Sequence, residues 1–355
     1  MAVETTIHDI ARQLDISATT VWRAINDRPR VSPSTRNRVI AEVQRLGYRP
    51  SLVAQNLSWG RTQTLGVVVP TISNPVYASL VRSAEQAAFD QDYNIVLCDT
   101  DFNLDREQQY LDLLIRRRVE GVLLVPFAKE SASTDDVHLR RLTEVGITVV
   151  CMQQRLSGSH VEQVVPDNVG AARDMTRHLI RLGHRRIAFL HGGLDPWLVP
   201  MVERLEGYRA ALQEAHLPES PDLIVPIGSF ESMLAGREGD FYPERIASVM
   251  LRRDRPTAVF APVDVLAIKA MGVMRNLGLR VPEDVAVVGF DDIQMTDYTE
   301  PPLTTVRHPA EEVGRRAAKL LFDRLAGDDS DHGPAIQRVP CELVIRSSCG
   351  AACQQ

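Results

Sequence analysis

No stretch of the 355 residues is apolar for long enough to cross a bilayer, and the amino terminus, MAVETT, has neither a basic segment nor an apolar core. These absences argue against a membrane partner and a secretory leader, and predict a cytoplasmic protein. Cysteine is scarce. The five residues (Cys98, Cys151, Cys341, Cys349 and Cys353) are odd in number and lack the paired spacing of a zinc site. Cys98 and Cys151 fall in apolar, strand-like runs and are expected in the core, whereas Cys349 and Cys353 fall in SSCGAACQQ, which reads as a flexible tail over 347–355. Glycine-rich phosphate loops (GxGxxG, GxxxxGK[ST]), the nucleophile elbow GxSxG and the zinc-protease helix HExxH are all missing. His178 and His184 do not have the spacing of a ligand pair, and the neighbouring Asp291 and Asp292 must point apart, which makes them a poor acid/base pair. No catalytic residue, cofactor or metal is expected, and an enzyme is disfavoured.

Lysine is absent from the first sixty residues, which instead hold eight Arg against five acidic groups, a net charge of +3. The whole chain carries −6, so the remainder carries −9. A basic head on an acidic body suits a molecule that meets phosphate at one end only.

That head is organised around Thr6 to Asn26, TIHDIARQLDISATTVWRAIN. Ile7, Ile10, Ala11 and Leu14 recur at helical spacing, with Thr6 and Asp9 in a capping-box relation. Asp15-Ile16-Ser17 reads as a turn, and Ser17 as the cap of a second helix with Val21, Ala24 and Ile25 inward. Ala18, Thr19, Trp22 and Arg23 then face outward. This is either a plain helical hairpin or a helix-turn-helix whose second helix enters a major groove, where Arg23 can bond a guanine edge and Ala18 and Thr19 can meet a thymine methyl. Ser32-Pro33 starts a third helix, which runs to about Leu46 and is stopped by Gly47 and Pro50.

At this point the chain resembles the lactose-repressor family of bacterial transcription regulators. The segments TIHDIARQLDIS, TTVWRAIN, VSPSTRNRV, LGYRPSLVAQNLS and TQTLGVVVP carry the likeness, and RLGHRRIAFLHG, ERLEGYRAAL and VPEDVAVVGFDDIQMTDYTEPPLTTVRH extend it over nearly the whole chain. The resemblance implies a homodimer that binds double-stranded, pseudo-palindromic operator DNA and answers a small-molecule effector, usually a sugar or nucleobase. Candidate DNA contacts are Thr6, Ser17, Ala18, Thr19, Trp22, Arg23 and Asn26 in the head, and Val53, Ala54 and Leu57 in a hinge. The hinge, Ser51–Trp59, is expected to fold as a short helix only on operator DNA, with Leu57 as a minor-groove wedge. Trp22 stands where relatives usually carry a small polar residue.

From Leu65 onward strands and helices alternate, which implies parallel sheets covered by helices. Strands are predicted at Leu65–Val69, Asn94–Asp99, Gly121–Val125 and Thr148–Met152, then at Ile187–Leu190, Leu223–Val225, Ala258–Ala261 and Val285–Phe290. Leu303–Val306 and Arg338–Ile345 read as late strands. The expected architecture is a small all-α helix-turn-helix head (1–50), a hinge (51–62) and a two-lobed α/β, periplasmic-binding-protein-like body (63–346). With three crossings near Gln163, Ile293 and Leu325, lobe 1 takes about 63–163 and 294–324, and lobe 2 about 164–293 and 325–346.

Five residues are candidate effector contacts. Asp291 follows an apolar strand at a cleft lip, and Arg204, in ERLEG, matches a ligand-holding arginine of the family and is expected across the cleft from it. Asp167 lies at the first crossing and is either a pocket residue or a hinge turn. Tyr77 either stacks on the ligand or belongs to the core. Val263 replaces an asparagine of many relatives and makes that wall apolar. Lys269 and the long segment 231–242 depart from the family pattern as well. A solute-binding protein would share the body but lacks any use for the head.

Overall fold

The structure, a computed structural model, describes residues 6–48, 61–126, 136–156, 159–192, 199–228, 241–327 and 336–351. The chain forms two compact units, Met1–Thr62 and Gln63–Gln355. The hinge residues Val53, Ala54 and Leu57, residues 231–240 of the long segment, and Cys353 lie outside the described residues.

The head contains α1 (Ile7–Leu14), α2 (Ala18–Ile25) and α3 (Pro33–Leu46). Eight-residue helices are too short to persist alone, so α1 and α2 depend on caps and packing. Thr6 and Asp9 form the capping box, with the Thr6 N–H donating to Asp9 Oδ2 at 2.9 Å and the Asp9 N–H to Thr6 Oγ1 at 3.3 Å. Ser17 caps α2 and Ser32 caps α3, each accepting from the N–H three residues on. Asp15 and Gly47 take the left-handed conformation that ends α1 and α3. Ile10, Ala11, Val21, Ala24 and Val39 close the core.

The body begins with β1 (Thr64–Val69), α4 (Pro75–Phe89), β2 (Asn94–Asp99), α5 (Leu104–Arg116), β3 (Gly121–Leu124), α6 (Asp136–Glu144), β4 (Thr148–Met152) and β5 (Glu162–Pro166). It crosses to a second lobe with α7 (Asn168–Arg181), β6 (Ile187–His191), α8 (Val199–Glu214), β7 (Ile224–Pro226), α9 (Pro243–Met250), β8 (Ala258–Phe260), α10 (Asp264–Asn276), β9 (Ala286–Val288) and β10 (Thr305–Arg307). It returns through α11 (Ala310–Leu325) and β11 (Ile336–Val339), then crosses again to β12 (Glu342–Val344). Lobe 1 is a parallel sheet in the order β11-β5-β4-β3-β1-β2. Lobe 2 is a parallel sheet in the order β7-β6-β8-β9, extended by bridges from Val288 to Thr304 and from Asp291 to Arg307, with β10 antiparallel to β12.

The pleat sends alternate side chains to opposite faces, and both faces are covered. Val67 joins the cluster under α4 and α11, and Val68 the cluster under α5. In lobe 2, Ala188 and Leu190 face α9 and α10, while Ile187 and Phe189 face α7 and α8.

The lobe boundaries expected from sequence are corrected here. Strand β5 lies wholly in lobe 1, so the first crossing comes after Pro166 rather than near Gln163. Residues 294–307 stay with lobe 2, because Gly289 and Asp291 donate their N–H groups to Thr304 and Val306. The second crossing is therefore at His308–Pro309 rather than Ile293. Strand β11 pairs with β5 in lobe 1, which moves the third crossing from Leu325 to Pro340–Cys341. Pro340 separates β11 from β12, so 338–345 is not one strand but the ends of two, in different sheets. The tail is corrected too: Ser347–Cys349 forms a 3-10 turn, and Cys349 is buried in the lobe 2 core.

Helices α7 and α8 pack closely because Gly207 presents no Cβ to its neighbour. A Cβ there would meet Val169 O at 2.3 Å and Arg173 N at 2.8 Å, both backbone atoms of α7. Alanine would gain about 1 kcal/mol of helix propensity but would force two backbones apart, at a cost of roughly 1–3 kcal/mol. Because the obstacle is backbone, we expect Gly207→Ala to lower the urea midpoint of the body. An unchanged or higher midpoint would mean that the α7–α8 distance is not set by this residue.

Candidate functional site

In the head the candidate surface is α2. Thr19 is exposed and Trp22 and Arg23 are half-buried, while Val21 and Ala24 hold the helix to the core. Arg23, Arg28 and Arg30 make no ion pair with any described residue, whereas Arg36 is paired with Asp27 and Arg45 with Glu42. Three guanidinium groups thus remain available to phosphate or base edges. Four expected contacts have prior duties. Thr6 and Ser17 cap α1 and α2, Asn26 Nδ2 donates to Trp22 O at 2.8 Å, and Ala18 is half-buried against the head core.

In the body the candidate site is a cleft of about 540 Å³ between the lobes. Lobe 1 supplies Asn74, Val76, Tyr77, Phe102, Gln153, Gln154 and Pro166, and lobe 2 supplies Pro200, Met201, Arg204, Val263 and Asp291, with His308 at the second crossing. Most follow the carboxyl ends of strands, where an open parallel sheet leaves a crevice. Asn74 caps α4 by accepting the Val76 N–H at 2.9 Å, which fixes the first turn and places Tyr77 in the cleft wall. Phe102, from the loop after β2, packs against the lobe 2 core.

Arg204 is 4% exposed and Asp291 9%. Arg204 Nη1 lies 3.4 Å from Asp291 Oδ1 and also donates to Pro262 O, and Nε donates to Asn168 Oδ1 at 3.0 Å. Its guanidinium carbon sits 3.6 Å from the centre of the Phe290 ring, a cation–π contact. Asn168 Nδ2 in turn donates to Glu203 Oε2 at 2.9 Å, and Glu203 Oε1 lies 3.7 Å from Arg155 Nε of lobe 1. A chain of polar contacts thus leads from Asp291 to the opposite lobe. Beneath it, Asp264 accepts the Thr305 hydroxyl and the Ile293 N–H, which anchors the loop carrying Asp291.

Burial raises the Asp291 carboxyl above the ordinary carboxylate range, and Arg204 draws it back. Burial raises the Tyr77 hydroxyl as well. His308 moves the other way: burial, reinforced by the Arg204 charge, pushes it down to about 3. The imidazole is therefore neutral at pH 7.

Of the five expected effector residues, four come together: Tyr77, Arg204, Val263 and Asp291. Two positions are corrected. Arg204 is not in a turn across the cleft from Asp291. It lies inside α8 on the same lobe, and the two charges touch. Asp167 is turned away to cap α7, accepting the Gly170 N–H at 3.0 Å, which favours the hinge-turn alternative. Asp292 points away from the cleft to Arg307 and Arg346, as adjacency to Asp291 requires. His178 and His184 are separate, the first near Cys349 Sγ and the second bonded to Thr257. Lys269 sits 4.8 Å from the Phe241 ring, so its departure from the family pattern serves the end of the long segment. Sequence reading missed Phe102, Gln153, Gln154, Asn168, Glu203 and His308. The strand-end rule that found Asp291 would have found Gln153 and Gln154 after β4 and His308 after β10.

Comparison with known proteins places these features. The profile of bacterial regulatory proteins of the lacI family matches residues 6–51, and that of a periplasmic binding protein-like domain matches residues 176–349. The chain is 32% identical over 343 residues to the HTH-type transcriptional repressor PurR of Aliivibrio salmonicida, covering 97% of this chain and 98% of that protein. Among solved structures it is similar to a complex of the transcriptional regulator CelR with cellobiose (33% identity, TM-score 0.69, 97% and 99% of the two chains). Its fold is also that of the lac repressor dimer bound to operator and the anti-inducer ONPF (22% identity, TM-score 0.81, 98% and 99% of the two chains).

The depressed His308 value has a measurable consequence. An unfolded histidine titrates near 6.5, so below that pH the unfolded chain takes a proton that the folded one refuses. Stability contributed by the neutral ring is intact above about pH 6.5 and is lost as pH falls toward 3. Between pH 7.5 and 5 this single group accounts for about 2 kcal/mol. Urea unfolding at both pH values should therefore show a smaller acid loss in His308→Gln than in the wild type, the remaining histidines cancelling. Equal losses would show that His308 is not held neutral.

Proposed function

The chain belongs to the lacI family of bacterial regulatory proteins, and from that premise we propose that it is a sequence-specific DNA-binding repressor of transcription whose operator affinity is set by a small molecule in the cleft. The observation that carries the proposal is the pairing, in one chain, of a capped recognition helix bearing an uncommitted Arg23 with a two-lobed body whose cleft holds the buried Arg204–Asp291 pair. In this reading α2 enters the major groove. Thr19, Trp22 and Arg23 read bases, Arg28 and Arg30 meet phosphate, and Thr6, Ser17, Ala18 and Asn26 set the position of the helix. Val53, Ala54 and Leu57 serve the hinge, with Leu57 as the wedge.

One helix reads one half-site, so the reading requires a homodimer on a pseudo-palindrome. In the cleft, Tyr77, Arg204, Val263 and Asp291 hold the effector, while Asp167 acts at the first crossing. PurR is named as a repressor, and CelR was solved with cellobiose. By analogy the effector here is a metabolite such as a sugar, and the protein works in the cytoplasm with no catalytic step. Among the described residues no helix is long and apolar enough to cross a membrane.

The test is operator binding by full-length protein, with the operator recovered by selection from random DNA. Arg23→Ala should weaken specific binding by about 1–3 kcal/mol per half-site and leave binding to random DNA nearly unchanged. Equal losses on both would reduce Arg23 to a phosphate contact, and selection that enriches no sequence would overturn the reading.

A further inference from the structure

Two atoms in the cleft have no hydrogen-bond partner among the described residues, the Gln154 oxygen Oε1 and the His308 nitrogen Nδ1. Both side chains are more than nine-tenths buried, Gln154 at 4% exposure and His308 at 8%, and both line the cleft. Buried polar atoms are nearly always paired, so two orphans in one cavity call for a partner. They come from opposite sides. Gln154 follows β4 in lobe 1, whereas the His308 backbone N–H donates to Asp291 O at 3.2 Å and ties it to lobe 2. Neither residue is among the contacts that the sequence pattern selects.

We propose that Gln154 and His308 determine the specificity of the effector cleft, and that the effector is an uncharged, hydroxylated ring compound that bridges the two side chains and so joins the lobes. The inference rests on the reading of the cleft as an effector site. Its first part, the absence of ligand charge, follows from the electrostatics. Arg204 and Asp291 are already committed to each other and to protein partners. A ligand carboxylate or phosphate would bring a third charge against the Asp291 carboxyl and the Gln154 oxygen. A ligand ammonium would bring one against Arg204. Either would be buried without a free counter-charge.

The second part, the hydroxyls, follows from donor and acceptor capacity. The Gln154 oxygen only accepts, so the ligand must donate to it. His308 is held neutral and carries one N–H and one lone pair, so its Nδ1 accepts in one tautomer and donates in the other. A hydroxyl does both, and satisfies either group without a fixed tautomer. The third part, the ring, follows from the walls: Phe102, Pro166, Met201 and Val263 offer apolar surface to a ring that is polar at its rim.

The experiment is calorimetry on the full-length protein with D-ribose, D-glucose and cellobiose, with glucuronate and glucosamine as charged forms of one ring, and with hypoxanthine as a flat heteroaromatic. We expect a neutral sugar to bind, and to bind about 100-fold or more tighter than a charged ring, as burial of an uncompensated charge requires. Gln154→Ala and His308→Ala should each weaken that sugar roughly 10- to 100-fold. If His308→Ala fails to fold, His308→Gln, which keeps a hydrogen-bonding group, should bind within about tenfold of wild type, and Gln154→Ala then carries the test. Tighter binding of a charged ring or of hypoxanthine, no binding of any neutral sugar, or wild-type affinity in both alanine variants would each overturn the inference. These outcomes are separable from failure of the functional reading. A metabolite of another class that changes operator affinity would overturn the inference and leave the regulator standing, whereas operator affinity that no compound alters would overturn both.

Discussion

The buried pair of Arg204 and Asp291 is the contact on which the rest of the cleft depends. Two opposite charges removed from water are costly unless each is fully bonded. Here the guanidinium is held on four sides, by Asp291, Asn168, the Pro262 carbonyl and the Phe290 ring. Removing one partner of such a pair costs about 3–5 kcal/mol, because the other charge is left alone. The surrounding architecture follows from this requirement. Helix α8 must approach α7 closely enough for Arg204 to reach Asn168, and Gly207 permits that approach. Asp264 must hold the loop after β9, and it does so with bonds to the Ile293 N–H and the Thr305 hydroxyl.

The same network gives the cleft a route to movement. Asn168 passes the contact from Arg204 to Glu203, and Glu203 meets Arg155 of the other lobe. A ligand that alters the Arg204–Asp291 pair therefore acts on a group one step from the lobe boundary. The three crossings lie beside this network. Asp167 donates its N–H to Val339 O at 2.9 Å, joining the first crossing to the third, and His308 stands at the second. A ligand changes an equilibrium between two arrangements only as far as it binds them differently. A cleft whose unpaired atoms come from both lobes offers that difference.

Much of the head and of the strand pattern was legible in the sequence, because caps and periodicity are local. Thr6 with Asp9, Ser17 and Ser32 with Pro33 announce their helices within four residues, and β2, β4 and α6 have the bounds that their patterns predict. The crossings were not legible, because no local signal says which sheet a strand joins. Strand β5 looked like a link, and β10 to β12 were sorted by long-range pairing that only the folded chain reveals. The site divides in the same way. Asp291, Val263 and Tyr77 were found from strand ends and family likeness. Arg204 was found too, but its contact with Asp291 required the fold. Gln154 and His308 were missed because a glutamine and a histidine stand out only when burial leaves them without partners.

The central claim is that cleft and operator are two ends of one equilibrium, and linkage gives it a direct test. If a ligand changes operator affinity by some factor, the operator must change ligand affinity by the same factor, typically about 5- to 150-fold. The measurement is calorimetric titration of the tightest-binding neutral sugar into full-length protein, alone and saturated with selected operator DNA. The account predicts two different affinities whose ratio equals the shift in operator binding. Identical affinities with and without operator would contradict it.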